Sequence, residues 1–180
     1  MTEKSRLETK RLILRTPETA DLEPLFRYRS LPEVFRYVVS DPKTKKGTVN
    51  FIKWAISERK KKPVLSYVWV VVSKKTGDLI GDCNLPIINP NQKEACVGYN
   101  LHPDFWNQGY ATEITKKLIE FGFKQLKLHR IFATCDTKNA ASSRVLLKAG
   151  MRWEGTFRKN LLQKGKWRDT HQYAILSTKN

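Results

Sequence analysis

Phe105-Trp106-Asn107-Gln108-Gly109-Tyr110-Ala111-Thr112-Glu113 is the stretch on which the fold turns. It stands between a strand-like run ending at Leu101 and an amphipathic run in which Ile114, Leu118, Phe121 and Gln125 recur on one side. A strand–loop–helix junction turns free backbone N–H groups and the positive end of a helix dipole toward an anion, ideally a phosphate. Gly109 permits close backbone approach, and Ala111 keeps the cradle uncrowded. The stretch fits neither GxxxxGK[ST] nor GxGxxG. A glycine before a helix is also an ordinary turn, so the junction alone leaves both readings open.

Working outward, strand and helix alternate. Downstream, the pattern predicts a helix over 111–126, a strand over 130–135 and a short helix over 140–149, with Asn139 placed to cap its start and Gly150 to end it. Strands over 153–161 and 172–176 follow, joined by the turn Lys164-Gly165-Lys166. Upstream, a strand over 12–15 ends before Pro17, and Leu22, Leu25, Phe26 and Arg29 fall at helix spacing. A second helix over 49–59 carries Phe51, Ile52, Ala55 and Ile56 on one face. Strands over 66–72 and 79–85 flank the turn Lys75-Thr76-Gly77-Asp78; Pro86 and Pro90 mark a loop, and a single strand over 94–101 completes the set. The order β-α-α-β-β-β-α-β-α-β-β predicts an α/β protein with a mixed sheet and helices on both faces. No repeat or linker divides it, so one domain is expected over 1–180, with its core over about 8–178.

Among 180 residues, 34 are basic and 17 acidic, a formal charge of +17. Such a surface attracts phosphates, acidic proteins or nucleic acid and repels polycations; the plainer alternative is a solvated lysine coat. The clusters Lys43-Thr44-Lys45-Lys46 and Arg59-Lys60-Lys61-Lys62 read as a loop and a helix end. Cys83, Cys96 and Cys135 lie far apart without a CxxC pair, which gives neither a disulfide framework nor a zinc site and suits a reducing cytosol. No apolar run reaches the ~20 residues of a membrane helix, and the N-terminus lacks the apolar core of a secretory signal. The expectation is a cytoplasmic protein with no membrane partner.

The same stretch, preceded by Val97-Gly98-Tyr99 and followed by Asn139-Ala140-Ala141-Ser142, closely resembles the GNAT acetyltransferases. The branch is the RimJ/RimL-like one, which acetylates the N-termini of ribosomal proteins. The resemblance covers nearly the whole chain, through Glu8-Thr9-Lys10-Arg11-Leu12-Ile13-Leu14-Arg15, Thr76-Gly77-Asp78-Leu79-Ile80-Gly81, Leu128-His129-Arg130-Ile131, Glu154-Gly155 and Gly165-Lys166-Trp167-Arg168-Asp169. It implies the acyl-CoA N-acyltransferase fold, with a central mixed, mostly antiparallel sheet. It also implies acetyl-CoA as co-substrate and no metal. The family loop Q/R-x-x-G-x-G/A falls on Trp106, Gly109 and Ala111, with Trp106 departing from the pattern. By resemblance, the amides of Gln108, Gly109, Tyr110, Ala111 and Thr112 bind the pyrophosphate. Leu101 offers backbone bonds to the pantetheine arm and thioester, where its strand splays from a neighbour. Asn139 reaches the pantetheine amide, a role compatible with an N-cap. Ser142 lies near the sulfur as general acid, or orients it. Many relatives carry a glutamate where Cys96 stands; a buried strand thiol is the reading preferred over a nucleophile. Glu154 then becomes the candidate base, its alternative being a structural carboxylate paired with an arginine. His102 is a proton relay or an exposed loop histidine.

The resemblance thus implies an N-acetyltransferase in which a neutral amine attacks the thioester directly. An α-amine costs about 1 kcal/mol to deprotonate at pH 7, a lysine about 4–5 kcal/mol. With Cys96 in the glutamate position, and with a field that repels spermidine, a protein N-terminal α-amine, ribosomal or other, is the expected acceptor. A local patch of Asp82, Glu94 and Glu154 would reverse the field. A small amino acid or peptide-like compound is the alternative acceptor. A non-catalytic RNA- or ribosome-binding module, served by Phe51-Ile52-Lys53-Trp54, is the alternative of another class. A homodimer is compatible with all of these.

Overall fold

The computed structural model describes residues 6–38, 40 and 43–178. The centre of the sheet is set by the most apolar run in the chain. Strand β3 (Ser66–Ser73) is buried along almost its whole length, between β2 (Leu12–Arg15) and β4 (Leu79–Asn89), both antiparallel to it. A short β1 (Arg6–Glu8), absent from the sequence reading, adds to the outer edge of β2. On the other side come β5 (Glu94–Cys96), β6 (Gly98–Leu101), β7 (Arg130–Asp136), β8 (Arg152–Gln163) and β9 (Lys166–Leu176), in the order β4-β5-β7-β9-β8, with β6 also on β4. Among the described residues only β5–β7 is parallel, so the sheet is mixed and mostly antiparallel, as expected.

Helices cover both faces. On one, Trp69 stacks on Tyr67 at 5.8 Å between ring centroids, and Phe121 of α3 (Tyr110–Lys124) meets both edge-on at 5.3–5.4 Å. α3 presses close to β7, since a Cβ on Gly122 would stand 2.6 Å from Ile131 Cδ1. Leu146 of α4 (Ala140–Lys148) completes that cluster. On the opposite face, Leu25 and Tyr28 of α1 (Leu22–Arg29) and Ile52 of α2 (Lys45–Glu58) pack with Phe35 on Val70.

Four expectations need correction. The strand expected over 94–101 is two strands, broken at Val97. β5 lies between β4 and β7, whereas β6 pairs with β4 alone. Pro86 is not in a loop: it faces Ser66 inside β4, which runs on past β3 to meet β5. The basic run at 43–46 is not all loop, because Thr44 Oγ1 accepts from the Gly47 amide at 3.0 Å and starts α2 there. The last hairpin is longer than expected and turns on Lys164 (φ 50°) and Gly165 (φ 72°), the two left-handed positions that match strand twist. Among the described residues, no helix is long and apolar enough to cross a membrane.

One buried charge cluster ties α1 to the sheet. Asp82, on β4, accepts from Arg29 Nη1 at 2.6 Å, from the Tyr28 hydroxyl, and from Asn100 Nδ2 of β6 at 3.2 Å. Arg29 is 5% exposed and lies 3.8 Å from the Phe51 ring centroid. Removing one partner of such a pair strands the other charge, at about 3–5 kcal/mol. Asp82→Ala is therefore expected to cost that much in urea unfolding, with Asp82→Asn costing less; a loss under about 1 kcal/mol for both would show that the pair is not what holds α1 to the sheet.

Candidate active site

The site begins where the sheet divides. Val97 N–H donates to Phe132 O at 2.9 Å, and beyond it β6 follows β4 and leaves β7. His102 N donates to Ile80 O at 2.8 Å, which makes that facing pair hydrogen-bonded. The alternation of an antiparallel ladder then turns the backbone groups of Tyr99 and Leu101 away from β4, into the split. The Leu101 carbonyl is partly spoken for, because Trp106 Nε1 donates to it at 2.9 Å. This is what the departure from Gln/Arg at Trp106 does: the indole locks the loop to the strand end. The Leu101 N–H still points into the opening.

The loop then enters α3 through two left-handed residues, Asn107 (φ 58°) and Gly109 (φ 80°). The first helical bond runs from Glu113 N to Gly109 O at 3.1 Å. The amides of Tyr110, Ala111 and Thr112 precede it and have no helical acceptor, at the positive end of a 15-residue helix. The Gln108 side chain is taken by Asp104 O at 2.7 Å, and its carbonyl accepts from Arg11 Nη1 at 3.0 Å. Arg11 was not foreseen here. Its Nε donates to Glu113 at 2.7 Å, its amide and Thr9 donate to the same carboxylate, and its guanidinium covers the Tyr110 ring at 4.2 Å. Burial pushes the Glu113 carboxyl up, but these hydrogen bonds prevail and hold it below the ordinary range. Glu113 is thus a clamp that fixes the start of α3 to the β1–β2 turn.

Asn139 and Ser142 sit at the start of α4, across the split. Asn139 Oδ1 accepts from the Ser142 amide at 3.1 Å, a true N-cap. Its Nδ2 makes no hydrogen bond among the described residues and remains a donor. The Ser142 hydroxyl lies 3.2 Å from the Tyr99 hydroxyl. Tyr99 escaped the sequence reading as a site residue. Its signal was parity, since it shares a strand face with Leu101. Burial pushes its phenol up to about 12, so it stays protonated near neutrality.

Glu154 is not placed as a free base. Arg130 holds both its oxygens, at 2.7 and 2.6 Å, Gln172 adds a bond at 3.2 Å, and the Arg130 bonds keep its pKa below the ordinary value. The same arginine binds Glu94 at 2.7 Å. The suspected acidic patch of Asp82, Glu94 and Glu154 is thus largely neutralised, with Arg29 and Arg130 supplying two positive charges against its three negative ones. Asp136 pairs with Arg168 at 2.7 Å, and Asp169 accepts from the Lys159 amide at 2.8 Å. Every carboxylate on the strands from β4 to β9 is therefore engaged. Cys96 is half-buried, and burial pushes its thiol up to about 11, which disfavours the thiolate a nucleophile needs. His102 is not simply exposed: its Nδ1 accepts from Asp104 N at 3.2 Å and its side chain is 18% exposed. That bond occupies the lone pair a relay would use.

The sequence matches the profile of the acetyltransferase (GNAT) domain over residues 11–152. It is 34% identical to "Uncharacterized N-acetyltransferase YoaA" of Bacillus subtilis over 172 residues, 94% of this chain and 96% of that one. The structure is similar to that of a GNAT-family acetyltransferase from Bacillus anthracis (TM-score 0.84, 32% identity, 95% and 98% of the two chains). It also has the fold of the ribosomal-protein-S5-alanine acetyltransferase from Vibrio fischeri (TM-score 0.84, 23% identity, 97% of each chain). The split sheet, the open helix terminus and these matches together place the chain in the GNAT acetyltransferase family.

Proposed function

We propose that the protein transfers the acetyl group of acetyl-CoA to an α-amine, and that the natural acceptor is a protein N-terminus of the ribosomal kind. The single observation that carries the acceptor reading is that no carboxylate on β4 to β9 is unengaged. Without a strong base, a neutral amine must come from the substrate's own equilibrium. That costs about 1 kcal/mol for an α-amine at pH 7 and about 4–5 kcal/mol for a lysine. The largely neutralised acidic patch supports the second half of the reading, because the one negative charge it keeps stands against a chain charge of +17 in the field around an incoming polycation.

The chain fits the donor at three places. The amides from Gln108 to Thr112 would meet the pyrophosphate, with Tyr110, Ala111 and Thr112 at the helix terminus. Asn139 Nδ2 and the Tyr99 and Leu101 backbone would hold the pantetheine amides as a strand would. Acetyl-CoA, a substrate here, supplies the thioester carbonyl that the amine attacks. Ser142 and Tyr99, hydrogen-bonded to each other, would hand a proton to the departing sulfur. A thiol of pKa about 8.5 needs little help, so their contribution is modest and partly orientational.

Ala111→Glu is expected to weaken acetyl-CoA binding at least about tenfold by calorimetry, since a carboxylate then faces the pyrophosphate. An unchanged Kd in the folded variant would remove the cradle assignment. Tyr99→Phe and Ser142→Ala should each lower kcat about tenfold, with the double variant no worse than either single one, because they act as a unit. Additive losses would mean two separate roles. An acidic peptide with a free N-terminus should exceed spermidine in kcat/KM, and its lead should shrink as salt rises from about 0.05 to 0.5 M. Spermidine winning at both salts would refute the acceptor reading while leaving the fold and donor site intact.

A further inference from the structure

Helix α2 lies on the face of the sheet opposite α3 and α4, away from the split. Its buried side, Ile52 and Ala55, is committed to the core. Its outer side repeats Lys46, Asn50, Lys53, Ser57 and, just past the end, Lys60, all exposed and three or four residues apart. Those spacings place them on one narrow stripe. Trp54, 43% exposed, borders the stripe and leans on Phe51 at 6.1 Å between centroids. At a rise of 1.5 Å per residue, Lys46 and Lys60 stand about 21 Å apart.

Lysines without an ion-pair partner occur elsewhere among the described residues, but on this stripe they line up along one face of one helix. On α3, Lys117 and Lys124 are both paired with Glu120. On α2, the two nearby carboxylates, Glu23 and Glu58, are consumed by Lys45 and Lys61. Lys46, Lys53, Lys60 and Lys62 make no ion pair among the described residues. A row of uncompensated ammonium groups beside one exposed indole matches a flexible polyanion whose flat groups can stack: phosphates along the row, a base on the ring. A lipid surface is a poor match, because the apolar side of α2 faces the core and cannot insert.

We infer that the outer stripe of α2, Lys46, Lys53 and Lys60 with Trp54, binds single-stranded RNA while the opposite face carries out acetyl transfer. The choice of RNA rests on the acceptor reading above, since ribosomal N-termini are presented on an RNA-rich particle. The stripe lies on the sheet face opposite the starts of α3 and α4, so RNA and acetyl-CoA bind independently.

The test is fluorescence anisotropy of a labelled oligo-U of about 12 nucleotides with the full chain, across a salt series. Lys46→Gln/Lys53→Gln/Lys60→Gln should weaken binding at least about tenfold and lower the slope of log affinity against log salt by about 2, at roughly 0.7 per lost contact. Trp54→Ala should weaken binding about fivefold with the slope unchanged. Lys75→Gln/Lys127→Gln/Lys148→Gln removes the same charge from exposed positions elsewhere and should cost less than about threefold. All variants should bind acetyl-CoA as the parent does, a readout that also verifies folding. Equal losses in the two triple variants would overturn the inference in favour of diffuse charge. So would a polyglutamate peptide binding as tightly as oligo-U, or duplex RNA binding more tightly than single strands. The acceptor assay is separate, so either reading can fail while the other stands.

Discussion

The division of the sheet at Val97 is the constraint on which the rest of the structure depends. One edge of β4 carries both β5 and β6, while β7 receives only β5. Two glycines make this possible. A Cβ on Gly98 would stand 2.6 Å from Asn84 Oδ1, and one on Gly81 would stand 2.3 Å from Asn100 O. Their absence lets β6 lie close against β4 as it diverges from β7. The backbone groups of Tyr99 and Leu101 then face a gap, and buried peptide groups need partners. An extended chain bearing amides suits that gap, because it presents the groups a strand would. Recognition of such a chain would be built into the topology more than into any one side chain.

Electrostatics follows a second rule: the acids are spent on structure. Arg29 takes Asp82, Arg130 takes Glu94 and Glu154, Arg168 takes Asp136, and Arg11 takes Glu113. With twice as many cations as anions, 34 against 17, the lysines are what remains on the outside. The same accounting explains the absence of a ready base and the strongly basic surface. These look like separate properties in the sequence, but they share one cause.

The layers of the fold were legible because β3 is apolar at both parities and the helices carry clear periodicity. Local signals also placed the loop-to-helix junction, since Gly109 and the amphipathic run after it lie within a few residues of each other. What escaped was non-local. Glu154 and Arg130 are 24 residues apart and meet only because β9 lies between their strands. Tyr99 and Ser142 are 43 apart, and Arg11 and Glu113 are 102 apart. Pairings of this kind have no spacing to read. The break at Val97 escaped for another reason. Gly-Tyr after a valine is ordinary strand sequence, and the glycine's meaning lies in Asn84 on the neighbouring strand. Lys45 and Lys46 looked like loop because the Thr44 cap and Gly47 hide a helix start inside a basic run.

The mobility that remains is limited by three anchors along α3. At its start, Glu113 is held by Arg11 and Thr9; in its middle, Phe121 meets Trp69 and Tyr67; beside that, Gly122 admits Ile131 to within contact. The anchors come from the β1–β2 turn, from β3 and from β7, so the helix is fixed against both halves of the divided sheet. Its first-turn amides accordingly keep one position relative to the Leu101 strand end, which Trp106 ties to the same loop. A donor bound at both points would lose its own freedom without the protein having to lose more. The ordering entropy of the site would then be met in folding, leaving binding energy available to align a thioester with an amine.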